Sequence, residues 1–238
     1  MQIILLKKIL MAFVFAYLLC ACSVVKSTIK FNNIEFVDLG LPSGTLWGTK
    51  NIGAFKSSDL GIRVAWGEIA SKDSFSWENY AFYRYYGEVD DDIRPTKYCL
   101  KNITDLSHNT KFDEYDGKII LDDCDDFASV TNKRMQMPTK EQCLELKTYC
   151  MMQKTVVDGV VGAIFTGVNG NTIFFPYHVE GDTEAGMYWT SSLCTEECYH
   201  SLSAFEFGMG KICMCKEQTR FCGRYVRPVL RRRKGKVK

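Results

Sequence analysis

Residues 35–47 read Glu35-Phe36-Val37-Asp38-Leu39-Gly40-Leu41-Pro42-Ser43-Gly44-Thr45-Leu46-Trp47. With Ile34 in front, the apolar run that ends at Leu39 and is closed by Gly40 has the length of a strand rather than of a helix. Similar runs follow at Ile62 to Trp66, Val160 to Phe165, Thr172 to Phe175, Tyr188 to Ser192, Ser201 to Phe207 and Arg224 to Val229. Strands therefore dominate the expected fold. Asn169-Gly170, between two of these runs, is a hairpin signal, because both turn positions need positive φ and Asn and Gly adopt it at little cost. Pro228 cannot donate to a ladder, which predicts an edge or terminal place for the last run.

One helix is legible after Pro138. Thr139 can cap its start, Gln142 can return the bond in a capping box, and Cys143, Leu146 and Cys150 share a face flanked by Tyr149. A shorter helix is expected from Asp123 to Val130, where carboxylates in the first turn complement the helix dipole. Many strands with two helices make a single α+β domain over residues 34–230. The polar stretch from Gly87 to Lys118 lacks periodicity and reads as a long loop.

The chain has 238 residues, 46% hydrophobic and 13% aromatic, enough for one sizeable core. Its formal charge of +2 is uneven: without Lys7 and Lys8 near the start and the six basic residues of 231–238, the body carries −6. An acidic body with a short basic tail excludes nucleic acid as an expected partner, since phosphate binding needs a basic face on the folded domain.

Lys7-Lys8, the apolar stretch Ile9 to Leu19 and Leu19-Cys20-Ala21-Cys22 form a targeting segment over residues 1–21. Eleven apolar residues are too few to span a bilayer. The tetrapeptide resembles the bacterial lipobox, which makes Cys22 the lipidated residue and 22–33 a lipid-bearing tether; several acyl chains suffice for stable anchoring without a transmembrane helix. Ser23-Val24-Val25-Lys26 carries no Asp directly after Cys22, which favours the outer membrane, and the nearest acidic residue, Glu35, leaves periplasmic face and cell surface both open.

Export also sets the reading of the cysteines. Without Cys20 and Cys22 nine remain, an odd number in a compartment that permits disulfides. Cys143 and Cys150 would lie about 10.5 Å apart along a helix, too far for a bond. Disulfides are therefore expected between separate elements, with Cys194, Cys198, Cys213, Cys215 and Cys222 pairing among themselves. The alternative, a zinc site of thiolates, is disfavoured by export.

The stretch 35–47 resembles the opening signature of the Fibrobacter succinogenes major paralogous domain family. Further matching blocks follow in order: Asn51-Ile52-Gly53-Ala54, Ala65-Trp66-Gly67-Glu68, Thr96-Lys97-Tyr98-Cys99, Asp125-Asp126-Phe127-Ala128, Arg134-Met135-Gln136-Met137-Pro138-Thr139, Tyr188-Trp189-Thr190-Ser191-Ser192 and Val226-Arg227-Pro228-Val229. The resemblance implies a C-type-lectin-like fold of the formylglycine-generating, sulfatase-modifying type, in a lipoprotein of the Bacteroidales. It further implies that the C-terminal half presents the binding surface. The chain departs from the pattern around Lys133, where the usual aromatic is missing, and in its frequent cysteines after Cys194.

Function is expected in binding, with a glycan or an envelope protein as ligand. The contacts are expected from Glu196, Glu197, Tyr199, Lys211 and Lys216, on connections flanking Ser201 to Phe207, with Trp77 as an exposed aromatic contact. Trp47, Trp66 and Trp189 are assigned to packing, and Tyr80, Phe82, Tyr83, Tyr85 and Tyr86 stay open between the two roles. Asp90-Asp91-Asp92 and Asp122-Asp123-Cys124-Asp125-Asp126 offer oxygens of the kind calcium prefers, yet neither has the spaced ligands of a calcium loop. Helix capping and solvated charge are preferred, calcium comes second, and no cofactor is expected. His108, His178 and His200 lie in no nucleophile motif, so no catalytic residue is assigned. The competing reading is a thiol- or copper-dependent oxidase, or a hydrolase, on the same scaffold.

Overall fold

A computed structural model of the chain describes residues 29–31, 33–85, 93–100, 116–180, 183–195, 203–209 and 214–230. Cys20, Cys22 and the tail from 231 lie outside these residues. Among them the fold is mixed α+β and mostly sheet. No helix of the described residues is long and apolar enough to cross a membrane.

The stretch that opens the domain contributes side chains to two cores. Strands β1 (Ile29–Phe31), β2 (Ile34–Asp38) and β3 (Leu46–Gly48) run antiparallel, and β16 (Val229–Leu230) and β7 (Met135–Gln136) extend them into a five-stranded sheet. Successive strand residues point to opposite faces. In β2, Ile34 and Phe36 enter a core with Trp66 and Trp189, while Val37 enters, with Leu39 beyond the strand, a second core with Phe165 and Phe175. Burial on both faces explains why this strand reads as a nearly continuous apolar run.

Strands β8 (Met151–Val157), β9 (Val160–Thr166) and β10 (Thr172–Pro176) form an antiparallel meander. Gly170 has φ 80° in the turn expected at Asn169-Gly170. The sequence reading missed β8, whose Gln153, Lys154 and Thr155 leave no side chain of the strand fully buried. Its hairpin partner was nonetheless signalled by Asp158-Gly159, both at positive φ.

A third sheet has the order β14 (Met214–Thr219), β13 (Ser203–Met209), β12 (Thr183–Leu193), β15 (Arg224–Tyr225), β4 (Arg63–Val64), with β11 (His178–Glu180) also on β12. A ribbon of β5 (Tyr83–Tyr85) and β6 (Ile93–Pro95) stands apart in pairing. Lys216, expected on a connecting loop, lies in β14 opposite Glu206 of β13. The strand was overlooked because Met-Cys-Lys-Glu-Gln-Thr has no apolar alternation.

The last apolar run corrects the expectation for Pro228. Arg224 to Val229 is not one strand: β15 pairs with β4 and β12, then the chain crosses and β16 enters the first sheet between β3 and β7, an interior position. Pro228 is tolerated because it belongs to the crossing, where only its carbonyl is needed, accepting from Gly48 N at 2.9 Å. Arg227 in the same crossing is fully buried. Its guanidinium donates to Asn51 Oδ1 at 2.7 Å, Gly48 O at 3.0 Å and Phe174 O at 2.8 Å, and lies 4.2 Å from the Phe175 ring centroid. Burial pulls its pKa down to about 10.

Helix α2 (Lys140–Tyr149) has the expected capping box of Thr139 and Gln142, and Cys143, Leu146 and Cys150 are buried. Helix α1 (Phe127–Thr131) begins later than expected at Asp123. Asp126 is its N-cap, accepting from Ala128 N at 2.8 Å, Ser129 N at 3.0 Å and also Met137 N at 2.8 Å. Burial pushes the Asp126 carboxyl up although these three donors pull the other way. Trp47, Trp66 and Trp189 are fully buried, as packing residues should be.

Cys143 and Cys150 are free thiols, and Cys194 is disulfide-bonded. Cys222, expected in the same bonded group, is free: its thiol faces Gln218 Oε1 at 3.5 Å.

Candidate functional site

Segments 67–72 and 79–82 meet residues 124–125, remote from them in sequence, around an open cleft of about 340 Å³. The first is the turn after β4. Gly67 has φ +80°, and a Cβ there would stand 2.5 Å from Phe82 Cε2, so glycine is what lets the Phe82 ring close against the turn. Glu68 follows, only 7% exposed, and its Oε1 accepts from Ala81 N at 2.7 Å and from Lys72 Nζ at 2.8 Å. Lys72 Nζ also donates to Asn79 Oδ1 at 3.1 Å. Asn79 closes the short 3-10 turn Trp77–Asn79, whose capping box uses Ser76. Phe82 and the Glu68–Lys72 pair thus form one wall.

The opposite wall is the turn before α1. Asp125 lies between Lys97, paired with its Oδ2, and Tyr98, whose hydroxyl donates to the same oxygen. The Tyr98 hydroxyl in turn accepts from Asp122 N at 2.8 Å. Tyr98 itself has φ 60°, a conformation that costs a bulky L-residue about 1–2 kcal/mol. Asp116 holds it there, accepting from Tyr98 N at 2.7 Å and Cys99 N at 2.9 Å. The Asp116 carboxyl is pulled up by burial, but these backbone donors bring it below its ordinary value. Burial works to lower the Lys97 pKa, and the Asp125 and Asp122 carboxylates more than offset this and hold it above the usual value. The Tyr98 phenol is pushed far up by burial, then by Asp125.

Beneath the cleft lies Arg220, fully buried. It donates from Nε to the Tyr80 hydroxyl at 3.0 Å and from Nη2 to Lys97 O at 2.8 Å, with its guanidinium 4.8 Å from the Trp66 ring centroid. Burial pushes Tyr80 up to about 12, against the opposing pull of Arg220. The cation thus fastens the turn after β4 to the Lys97 segment from below.

Ligand atoms of Asp122, Cys124 and Asp125 lie within 4.8 Å of one another. Lys97 Nζ already stands against Asp125 and 3.8 Å from Asp122, and Lys118 Nζ is 2.5 Å from Asp122. Two ammonium groups are therefore paired with these carboxylates. Cys124 is exposed on this rim.

Of the residues proposed from sequence, Trp77 is described with its side chain. It is half-buried, with ring centroids of Tyr80, Tyr83 and Phe221 at 5.7, 5.7 and 5.0 Å, and it braces the cleft wall two residues from Asn79. Lys216 is placed on β14 by its backbone. Glu196, Glu197, Tyr199, Lys211 and Cys22 lie outside the described residues, as do His108 and His200. His178 Nδ1 is 3.2 Å from the Tyr225 hydroxyl. The sequence reading missed Glu68, Lys72, Asn79 and Lys97. The blocks 65–68, 96–99 and 125–128 had been singled out one by one, and their convergence is a property of the fold.

Comparison with family models, with curated proteins and with solved structures returned no match.

Proposed function

We propose that this chain is a lipoprotein anchored through Cys22 at the outer membrane, whose single domain binds a glycan or an envelope protein and catalyses no reaction. On this reading the α+β domain has a lectin-like fold of the sulfatase-modifying type. The observation that carries the binding role is the state of the cleft's charges. Glu68 is paired with Lys72 and Asp125 with Lys97 and Tyr98, so both carboxylates of the cleft are held in bonds within the protein. A general base or acid must exchange a proton with substrate, whereas a recognition site gains from groups held rigidly in place.

The test is a binding screen with purified, detergent-solubilised full chain against glycans and envelope proteins, run beside a metal analysis and a turnover assay on a cysteine-containing peptide. Saturable binding of one panel member supports the proposal. Bound copper with oxidation of the peptide thiol would overturn it in favour of an oxidase on the same scaffold.

A further inference from the structure

The cleft between Phe82 and Asp125 has a composition that selects among ligands. We propose that it binds one neutral sugar ring, with hydroxyls donated to the Glu68 and Asp125 carboxylates and the apolar face of the ring laid on Phe82. This deepens the binding role proposed above and rests on it.

Charge is the first argument. The two carboxylates on the walls are balanced by two ammonium groups, Lys72 and Lys97. A cationic ligand would add an uncompensated charge, and an anionic one would have to take a lysine from its carboxylate. Either costs more than a neutral ligand does in a partly desolvated site.

The second argument is the remaining hydrogen-bond capacity. A carboxylate accepts about four hydrogen bonds. Among the described residues, Glu68 Oε2 accepts only from Lys72, and Asp125 Oδ1 only a long thiol contact from Cys124 at 3.6 Å. Lys72 Nζ is spent on Glu68 and Asn79. The open capacity on both walls is thus for acceptance, and the ligand must bring several neutral donors. Ala70, Ala81 and Phe82 complete the lining with apolar surface, so the donors must sit on a skeleton that also shows a C–H face. A pyranose combines the two. The volume, about 340 Å³, is at the lower end of the range for small-molecule sites, roughly 300–1,000 Å³. It holds one ring, and the open mouth lets a glycosidic bond lead outward.

Cys124 lines the same cleft and is an exposed free thiol, so occupancy can be read without knowing the sugar in advance. The probes are the methyl glycosides of glucose, galactose, mannose and N-acetylglucosamine, titrated into the full chain in detergent. The rate of Cys124 alkylation by iodoacetamide is followed by peptide mapping, with calorimetry alongside. At saturation one of them should slow Cys124 alkylation at least about tenfold, with an affinity that barely changes with salt, as expected for a neutral ligand. Glu68→Gln should weaken binding about tenfold. Ala70→Trp, at an exposed position that tolerates bulk, should abolish it while the thermal midpoint stays put. If a glycan binds wild type and Ala70→Trp equally, the cleft is the wrong site although the binding role stands. If envelope protein binds and no glycoside protects Cys124, the ligand class is wrong and the binding role again stands. If nothing on either panel binds, both fall together.

Discussion

The Arg227 guanidinium donates to Oδ1 of Asn51 at 2.7 Å, joining residues 176 positions apart in the chain. No carboxylate takes part in the bonds it makes to Asn51, Gly48 and Phe174. A lone lysine ammonium cannot reproduce three donors in one plane. Arg227→Lys is expected to destabilise by about 2–4 kcal/mol and Arg227→Ala by more, because two backbone carbonyls and an amide oxygen lose their partner in the interior. Urea denaturation measures this, and a wild-type midpoint for Arg227→Ala would refute it.

Asp126 caps α1 and also receives Met137 N from the strand beyond it. Asp126→Asn keeps one oxygen for these donors, and Asp126→Ala keeps none. The alanine variant should lose about 2–4 kcal/mol, more than a surface cap, since three N–H groups are stranded. The asparagine variant should fall between it and wild type.

Gly67→Ala would place a methyl against Phe82 and strain the positive φ. The expected loss is about 1–3 kcal/mol. Displacement of Phe82 should also open the cleft, which faster alkylation of Cys124 at temperatures well below unfolding would register.

Thiol labelling without denaturant should modify Cys124 first among the described free cysteines, with Cys99, Cys143 and Cys150 following only as the protein opens, since these three are buried. Burial also pushes the Cys99 and Cys150 thiols up to about 11, which withholds the reactive thiolate. Cys194 should resist labelling until a reductant is added. A map in which Cys143 and Cys124 react together would contradict this order.

Alkaline pH should weaken the fold through two buried phenols. Burial raises Tyr80 and Tyr188 to about 12, against 10.0 for a free phenol. Between these values the unfolded chain gives up the proton and the folded one keeps it, so rising pH favours unfolding. Their stabilising effect is complete below about pH 10 and is lost as pH passes about 12. Tyrosinate absorbance in Tyr80→Phe should show one late-titrating phenol fewer.

Several elements were legible in the sequence because their signals are local. The Thr139–Gln142 capping box and the Asn169-Gly170 turn depend on neighbours within a few residues. Strand β8 was overlooked because its exposure erased the apolar pattern, even though Asp158-Gly159 announced the hairpin. The crossing at Val226 to Pro228 was read as a continuous strand, since nothing local shows that Tyr225 and Val229 pair in different sheets. The cleft was illegible for the same reason. Glu68, Lys97 and Asp125 are ordinary charged residues until the fold brings them together, and the acidic run around Asp122 reads as helix capping and solvated charge, with nothing local to show its lysine partners.

The anchoring proposal predicts that Cys22→Ala abolishes acyl labelling and releases the protein from membranes, and that Cys20→Ala does neither. Undiminished labelling of the Cys22 variant would refute it.

Among the described residues strand β16 is the ladder that links β3 to β7, and Tyr225 and Val226 enter the two main cores from the same segment. Without residues 224–230 each core loses part of its packing, and the first sheet loses the strand between β3 and β7. Loosening this one segment would therefore disturb both cores at once, which couples them into a single cooperative unit.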